Sequence, residues 1–293
     1  MTDIHMEETA VYKKQNMTLQ MLKRLCKRKT AMAGLIALVI IMIMAVFAPI
    51  VAPYDPTALD FANANAGPSL QHLFGCDSMG RDQFSRVIYG ARYSLSLGLL
   101  SSLLGMAIGI ILGSAAGWFG GWVDNVVMRL VDILMAIPSI LLSICISTVM
   151  GPGFVNTVFA LCIAHISGIT RLIRAKILST KSEEYLEAAK SINCNTSRIM
   201  FRHLLPNVIS PCIVNVTMGV GVSIMEAASL SFIGLGVQPP TPEWGAMLSA
   251  GRAFVRTYPH MIIFPGLVIA VAILCINLFG DGLRDALDPK LKR

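Results

Sequence analysis

Charge is scarce in this chain. Asp, Glu, Lys and Arg make up 14% of its 293 residues, against roughly 25% in an ordinary soluble domain. Apolar residues reach 55%, so a soluble globular protein is the wrong class. Catalytic signatures are missing too. No G-x-x-x-x-G-K-[ST] is present, so the chain is not a P-loop ATPase. Neither H-E-x-x-H nor G-x-S-x-G occurs, which removes the commonest zinc-protease and hydrolase patterns. The cysteines (Cys26, Cys76, Cys145, Cys162, Cys194, Cys212 and Cys275) include no C-x-x-C pair. Four of them lie in apolar runs and read as small buried hydrophobes. Neither a disulfide framework nor a metal site is expected. No cleavable signal peptide is expected either. The first apolar run begins near Thr30, after a long polar start, and is long enough to span a membrane.

What is present is a succession of apolar runs. A helix needs about 20 mostly apolar residues to cross a ~30 Å hydrocarbon core. Six segments qualify, at about 31–52, 93–118, 126–150, 154–173, 208–237 and 260–279. The fold class expected is an all-α integral membrane protein of six transmembrane helices. The net charge of +7 does not suggest nucleic acid, because basic residues cluster at the edges of apolar segments. Lys13, Lys14, Lys23, Arg24, Lys27, Arg28 and Lys29 precede the first span. Arg174, Lys176, Lys181, Lys190, Arg198 and Arg202 follow the fourth, and Arg284, Lys290, Lys292 and Arg293 follow the sixth. Positive loops stay in the cytoplasm, so both termini are cytoplasmic. The tail at 1–30 reads as a topology signal that contacts lipid headgroups. Residues 53–92 form an extracytoplasmic loop, 93–283 a core of five spans, and 284–293 a cytoplasmic tail.

Two spans carry patterns. On the second, Gly105, Gly109, Gly113, Gly117 and Gly121 recur every fourth residue. Residues four apart lie nearly on one helix face, and small residues let membrane helices approach closely. The groove fits a helix contact within the chain or a subunit interface. On the fifth, Asn215, Gly219, Ser223, Glu226 and Ser229 make one small, polar face. Polar groups in a span are costly and often mark a pathway. This face lines a pathway or packs against another helix, with Glu226 paired. His165 and Asn277 are polar residues of the fourth and sixth spans, read as hydrogen-bonded to neighbours. Arg129 and Asp132, three apart, fit a local ion pair near Asp124. Glu183, Glu184 and Asp281 read as solvated charge or capping.

Between the fourth and fifth spans, residues 187–207 read EAAKSINCNTSRIMFRHLLPN. Glu187-Ala188-Ala189 and Arg202-His203-Leu204-Leu205-Pro206-Asn207 resemble the EAA loop of binding-protein-dependent ABC importer permeases. The likeness extends along nearly the whole chain: Gly75-Cys76-Asp77-Ser78-Met79-Gly80-Arg81-Asp82, Gly120-Gly121-Trp122-Val123-Asp124, the run from Ser229 to Gly245, and Gly280-Asp281-Gly282-Leu283-Arg284-Asp285. Together these resemble the second permease subunit of importers for dipeptides, oligopeptides and nickel chelates.

The resemblance implies a type I ABC permease fold in the bacterial inner (plasma) membrane. It implies no activity of the chain's own and no cofactor bound by it, with ATP and Mg on partner subunits. Those partners are a homologous permease, two ATPase subunits and an extracytoplasmic substrate-binding protein. The cargo implied is a di- or oligopeptide, with nickel chelates, glutathione or another small solute as alternatives. The coupling loop, about 180–207, would meet the ATPases through Glu187, Ala188, Ala189, Asn193, Arg202, His203, Leu205 and Pro206. An ATP-independent transporter or channel is the alternative of another class.

Two positions depart from the family pattern. Asn193 stands where glycine is usual, six residues after Glu187. Asn tolerates the left-handed backbone next best, so the helix-ending turn is expected to survive. Cys76 stands where threonine is common. In the loop, Ser182 is a plausible N-cap, the Ala188-Ala189 pair is expected to present a flat face, and Pro206 fits the first turn of the fifth span.

Overall fold

The computed structural model describes residues 25–287, except the side chains of Lys190, His203, Asn207 and Ser210. Among the described residues the only β pairing is a single antiparallel bridge, Cys76 to Asp82. The helices are α1 (Lys29–Val46), α2 (Gln83–Phe119), α3 (Gly121–Met135), α4 (Ser139–Met150), α5 (Phe154–Thr180), α6 (Glu184–Ser191), α7 (Leu205–Phe232), α8 (Trp244–Gly251) and α9 (His260–Leu287). Helices α1, α2, α5, α7 and α9 are each long and apolar enough to cross a membrane.

The third expected span is not one straight helix. Helices α3 and α4 meet at a 92° bend, and they make a sixth crossing only when taken together. Pro138 causes the break. It supplies no N–H and disfavours helical backbone at the residue before it, and its own ψ is 136°, outside the helical range. Contacts at the two ends of the bundle fit an alternating path. At the cytoplasmic end the Lys181 ammonium donates to the Trp118 carbonyl, 2.7 Å away, and Arg28 pairs with Asp285. At the opposite end the Gly153 N–H donates to Gly236 O at 2.9 Å.

Helix α2 begins ten residues before the expected start at Tyr93. Asp82 caps it by accepting from the Ser85 N–H at 2.7 Å. Its first turns carry Gln83, Ser85 and Arg86, all buried, which hydropathy alone does not assign to a span. The outer segments cover them. The Asp77 carboxylate accepts from Arg81 Nε at 2.6 Å and lies 3.7 Å from Arg86 Nε, while Arg86 Nη1 donates to Pro56 O. Trp244, fully buried, donates its indole N–H to Val87 O at 2.9 Å. Glu243 caps α8 through the Gly245 and Ala246 amides and also accepts from Ser94 Oγ. Gly80 is indispensable here. Its φ is +76°, and a Cβ would sit 1.7 Å from Asp60 O.

The glycine stripe of α2 packs inside the chain. A Cβ at Gly105, Gly109 or Gly117 would lie 2.9, 2.7 and 2.9 Å from the Cβ atoms of His165, Ile169 and Ile177, respectively. At Gly113 it would lie 2.6 Å from the Thr170 carbonyl. Two four-residue repeats, one on α2 and one on α5, therefore interlock backbone to backbone. Gly121 is not part of that contact. It has φ +52° and, with Gly120 at +66°, makes the turn into α3, with nothing within 4 Å of a built Cβ. The expected Arg129–Asp132 pair is replaced by longer-range ones. Asp132 accepts from Arg171 at 2.6 Å, and Asp124 is paired with Arg174. Both arginines lie on α5, so these pairs pin the cytoplasmic half of α3 to it.

Candidate functional site: the cytoplasmic loop and a buried polar chain

The loop after α5 is built on the bundle's own core. Helix α6 starts after Glu183, whose carbonyl accepts from the Leu186 and Glu187 amides, so the cap position falls one residue beyond the expected Ser182. Leu186 is fully buried and Ala189 nearly so. They join Ile173 and Ile177 of α5, Ile199 and Leu204 of the following turns, and Val208 and Cys212 of α7 in one apolar cluster. Burying a leucine side chain stabilises by about 1.5–3 kcal/mol, so α6 is anchored rather than floating on headgroups. The expected flat alanine face is halved. Ala189 faces the bundle, and Ala188 is exposed beside Glu187.

Asn193 ends the helix with φ +55°. The Cys194 N–H reaches back to Ala189 O at 3.1 Å, a six-to-one bond of the Schellman type. After it, Asn195 caps the next turn by accepting from the Ser197 amide. A wide π turn over Ile199–Leu204 then leads into α7, and Pro206 falls in the first turn of α7. Such a turn is common where a helix is interrupted at a working site. Arg202 and Pro206 are exposed, and Leu205 is buried. The His203 side chain lies outside the described set. Ile192 and Phe201, 76% and 70% exposed, add apolar surface to the same loop. An exposed apolar patch rimmed by charge marks a protein interface. No residue type in the motif itself signals Ile192 or Phe201, and both were missed from sequence.

The polar face of α7 divides in two. Asn215 and Ser229 are exposed, and the Ser229 hydroxyl donates to Met225 O. Ser223 and Glu226 are buried. Ser223 Oγ lies 2.7 Å from His165 Nε2 of α5 and 3.0 Å from Ser102 Oγ of α2. Glu226 Oε1 accepts from Ser139 Oγ, the first residue of α4, at 2.7 Å. Ser102 and Ser139 carried no signal in the sequence, since only the fold brings them to α7. A cavity of about 170 Å³ adjoins this chain, lined by Ser102, His165, Ser167, Asn215, Gly219 and Met135, among others. Asn277 of α9 faces Gly221 of α7, its Oδ1 3.3 Å from where a Cβ would stand. Among the described residues no cluster of His, Cys, Asp and Glu could hold a metal.

This geometry is a helical membrane core with an anchored cytoplasmic loop that keeps one face exposed. Residues 106–293 match the family model described as "Binding-protein-dependent transport system inner membrane component". The chain belongs to that family. Residues 17–68 match a second model, the N-terminal transmembrane domain of oligopeptide transport permease C. The glutathione transport system permease protein GsiD of Shigella flexneri serotype 5b (strain 8401) is 48% identical over 271 residues, covering 92% of this chain and 89% of that protein. GsiD of Escherichia coli O6:K15:H31 (strain 536 / UPEC) is 47% identical over the same length. Among solved structures, an inward-facing form of the MetNI methionine ABC transporter aligns with TM-score 0.56 at 17% identity, covering 70% of this chain and 97% of that one. An amino acid ABC transporter solved with histidines aligns with TM-score 0.53 at 18% identity, covering 68% and 92%.

The permease is thus a type I ABC importer subunit and a multi-pass protein of the inner membrane. It is not itself an enzyme; in such importers ATP is hydrolysed by partner subunits.

Proposed function

We propose that this chain is one of two homologous permease subunits in an ATP-driven importer for glutathione or a closely related small peptide. The observation that carries the cargo is the 47–48% identity, over 92% of the chain, to permeases named for glutathione transport. That identity favours glutathione, expected from the sequence as an alternative cargo, over the di- or oligopeptide expected first. Two ATPase subunits holding ATP and Mg engage the exposed face around Glu187, Ala188, Asn193, Arg202 and Pro206. Ala189 and Leu205 contribute by fixing that face to the bundle. A substrate-binding protein docks on the outer surface formed by the segments between α1 and α2 and between α7 and α9. The pathway runs between the two permeases.

The importer, reconstituted with its partners in liposomes, tests both parts. Labelled glutathione should accumulate with ATP inside the compartment facing the ATPases, and excess dipeptide or nickel chelate should compete poorly. Uptake of dipeptides or nickel chelates without glutathione would overturn the cargo. Glu187→Arg should abolish both uptake and the ATPase stimulation by loaded binding protein. Wild-type stimulation in that variant would overturn the coupling role.

A further inference from the structure

Glu226 is the acid set deepest in α7. It is 94% buried, since its relative exposure is 6%. One carboxyl oxygen accepts from Ser139, and the other, Oε2, has no hydrogen-bond partner among the described residues. Leaving a buried acceptor unpaired costs about 1–3 kcal/mol, more if it is charged. In a membrane-spanning helix such a group reads as functional by default. Its setting is specific. Ser139 is exposed and sits directly after Pro138, at the 92° bend between α3 and α4. The carboxyl therefore lies just behind the surface of the broken helix, screened by one serine hydroxyl. Three residues away on the same face of α7 is Ser223, whose contacts to His165 and Ser102 continue the polar line to the cavity holding Asn215. Among the described residues, the ion pairs formed by Arg28, Arg81, Arg86, Arg171 and Arg174 lie elsewhere in the fold, none on Glu226.

We propose that Glu226 receives the ammonium group of the cargo as it passes the bend of α3 and α4. Ser139 gives up its bond to the carboxyl, and the cargo's N–H donors take the shared and the unpaired oxygen together. An ammonium adds the attraction of opposite charges to its hydrogen bonds, which the neutral Ser139 hydroxyl cannot, so the exchange favours cargo bearing a free amine. The serines and His165 then offer neutral donors and acceptors to the peptide groups that follow. Glutathione and ordinary peptides carry such an ammonium and metal chelates need not, so the inference rests on the proposed function and sharpens its cargo class.

The test uses the complete importer in liposomes, with glutathione-loaded binding protein as the probe. Glu226→Gln keeps the shape and the bond from Ser139 but removes the charge. Ser139→Ala removes the screen and keeps the charge. Glu226→Gln should lower the maximal uptake rate at least tenfold. The concentration of loaded binding protein that half-saturates uptake should not move. Its thermal midpoint should equal or exceed that of wild type, because an uncompensated buried charge gives way to a neutral amide. Ser139→Ala should stay within about threefold of wild type. Wild-type uptake by Glu226→Gln overturns the proposal. So does an equal loss in both variants, or a loss accompanied by a lower thermal midpoint, since either makes the carboxyl a clamp on the bend. A wild-type importer that carries only ammonium-free cargo overturns this inference together with the proposed function. One that carries glutathione but is indifferent to Glu226→Gln overturns this inference alone.

Discussion

Gly113→Ala should destabilise the permease, although alanine is the better helix former. Alanine gains up to about 1 kcal/mol over glycine in a helix interior. Against that stands the contact with α5. The new methyl would lie 2.6 Å from the Thr170 carbonyl and 2.8 Å from Ile173 Cβ. A carbonyl in a helix cannot turn aside, so the two helices must separate. Overpacking a tight contact costs typically about 1–3 kcal/mol, and separation would also loosen the neighbouring contacts at Gly109 and Gly117. The net expectation is a loss of about 1–2 kcal/mol. For a chain near this size each kcal/mol moves the thermal midpoint by about 2–4 °C, so a drop of about 2–8 °C is expected. Gly117→Ala should lose less, because its nearest backbone atom, Arg174 O, is 3.2 Å away. Gly266→Ala on α9 serves as control, since its nearest neighbour would be the tip of Leu248 at 3.7 Å. Thermal aggregation of the detergent-solubilised protein, followed by fluorescent size exclusion, reads all three. A Gly113→Ala midpoint at or above wild type, or equal shifts in Gly113→Ala and Gly266→Ala, would refute the interlocking of α2 with α5.

Asn193→Gly should match wild type in stability and in stimulated ATPase activity, whereas Asn193→Val should lose about 1–2 kcal/mol through a left-handed backbone that a β-branched residue resists; thermal midpoints of the pair check this. Cys76 is fully buried, and burial, then the Asp82, Asp77 and Asp60 charges, push its thiol up to about 11. It should resist maleimide at pH 7–8 in folded protein and react once the outer segment is unfolded, as read by mass spectrometry. The sign of its linkage follows. The neutral thiol is favoured by the fold, so its contribution is complete below about 9 and is lost as pH rises through about 11.

Much of the architecture was legible because lipid imposes a coarse rule: long apolar runs cross, and basic edges stay inside. Asn193 was legible for a local reason, since few side chains tolerate the backbone its position needs. Most of the errors have one physical origin, which is contact between distant parts of the chain. The polar start of α2 becomes helix because Asp82, the outer segment and Trp244 cover it. Asp132 looks like a partner for Arg129 until α5 brings Arg171 alongside. The break at Pro138 hides inside an uninterrupted apolar run, where hydropathy is blind to a missing N–H. The candidate site divides the same way. The loop's position and its helix-ending turn came from local sequence, but which alanine faces inward did not. Ser223, Glu226 and His165 were each visible as polar groups in apolar surroundings. Ser102 and Ser139, which join them across four helices, were not.

The anchoring of α6 has a mechanical consequence. Leu186 and Ala189 share one apolar cluster with Ile173, Ile177, Val208 and Cys212, so the loop has almost no compliance of its own. Protein interiors pack as densely as molecular crystals and yield little when pushed. A displacement applied to α6 is therefore not absorbed in the loop. It is passed to the cytoplasmic ends of α5 and α7 together, and from α5, through the glycine contacts, to α2. In the proposed importer, travel of the ATPase face would then reach these helices rather than being taken up by the loop.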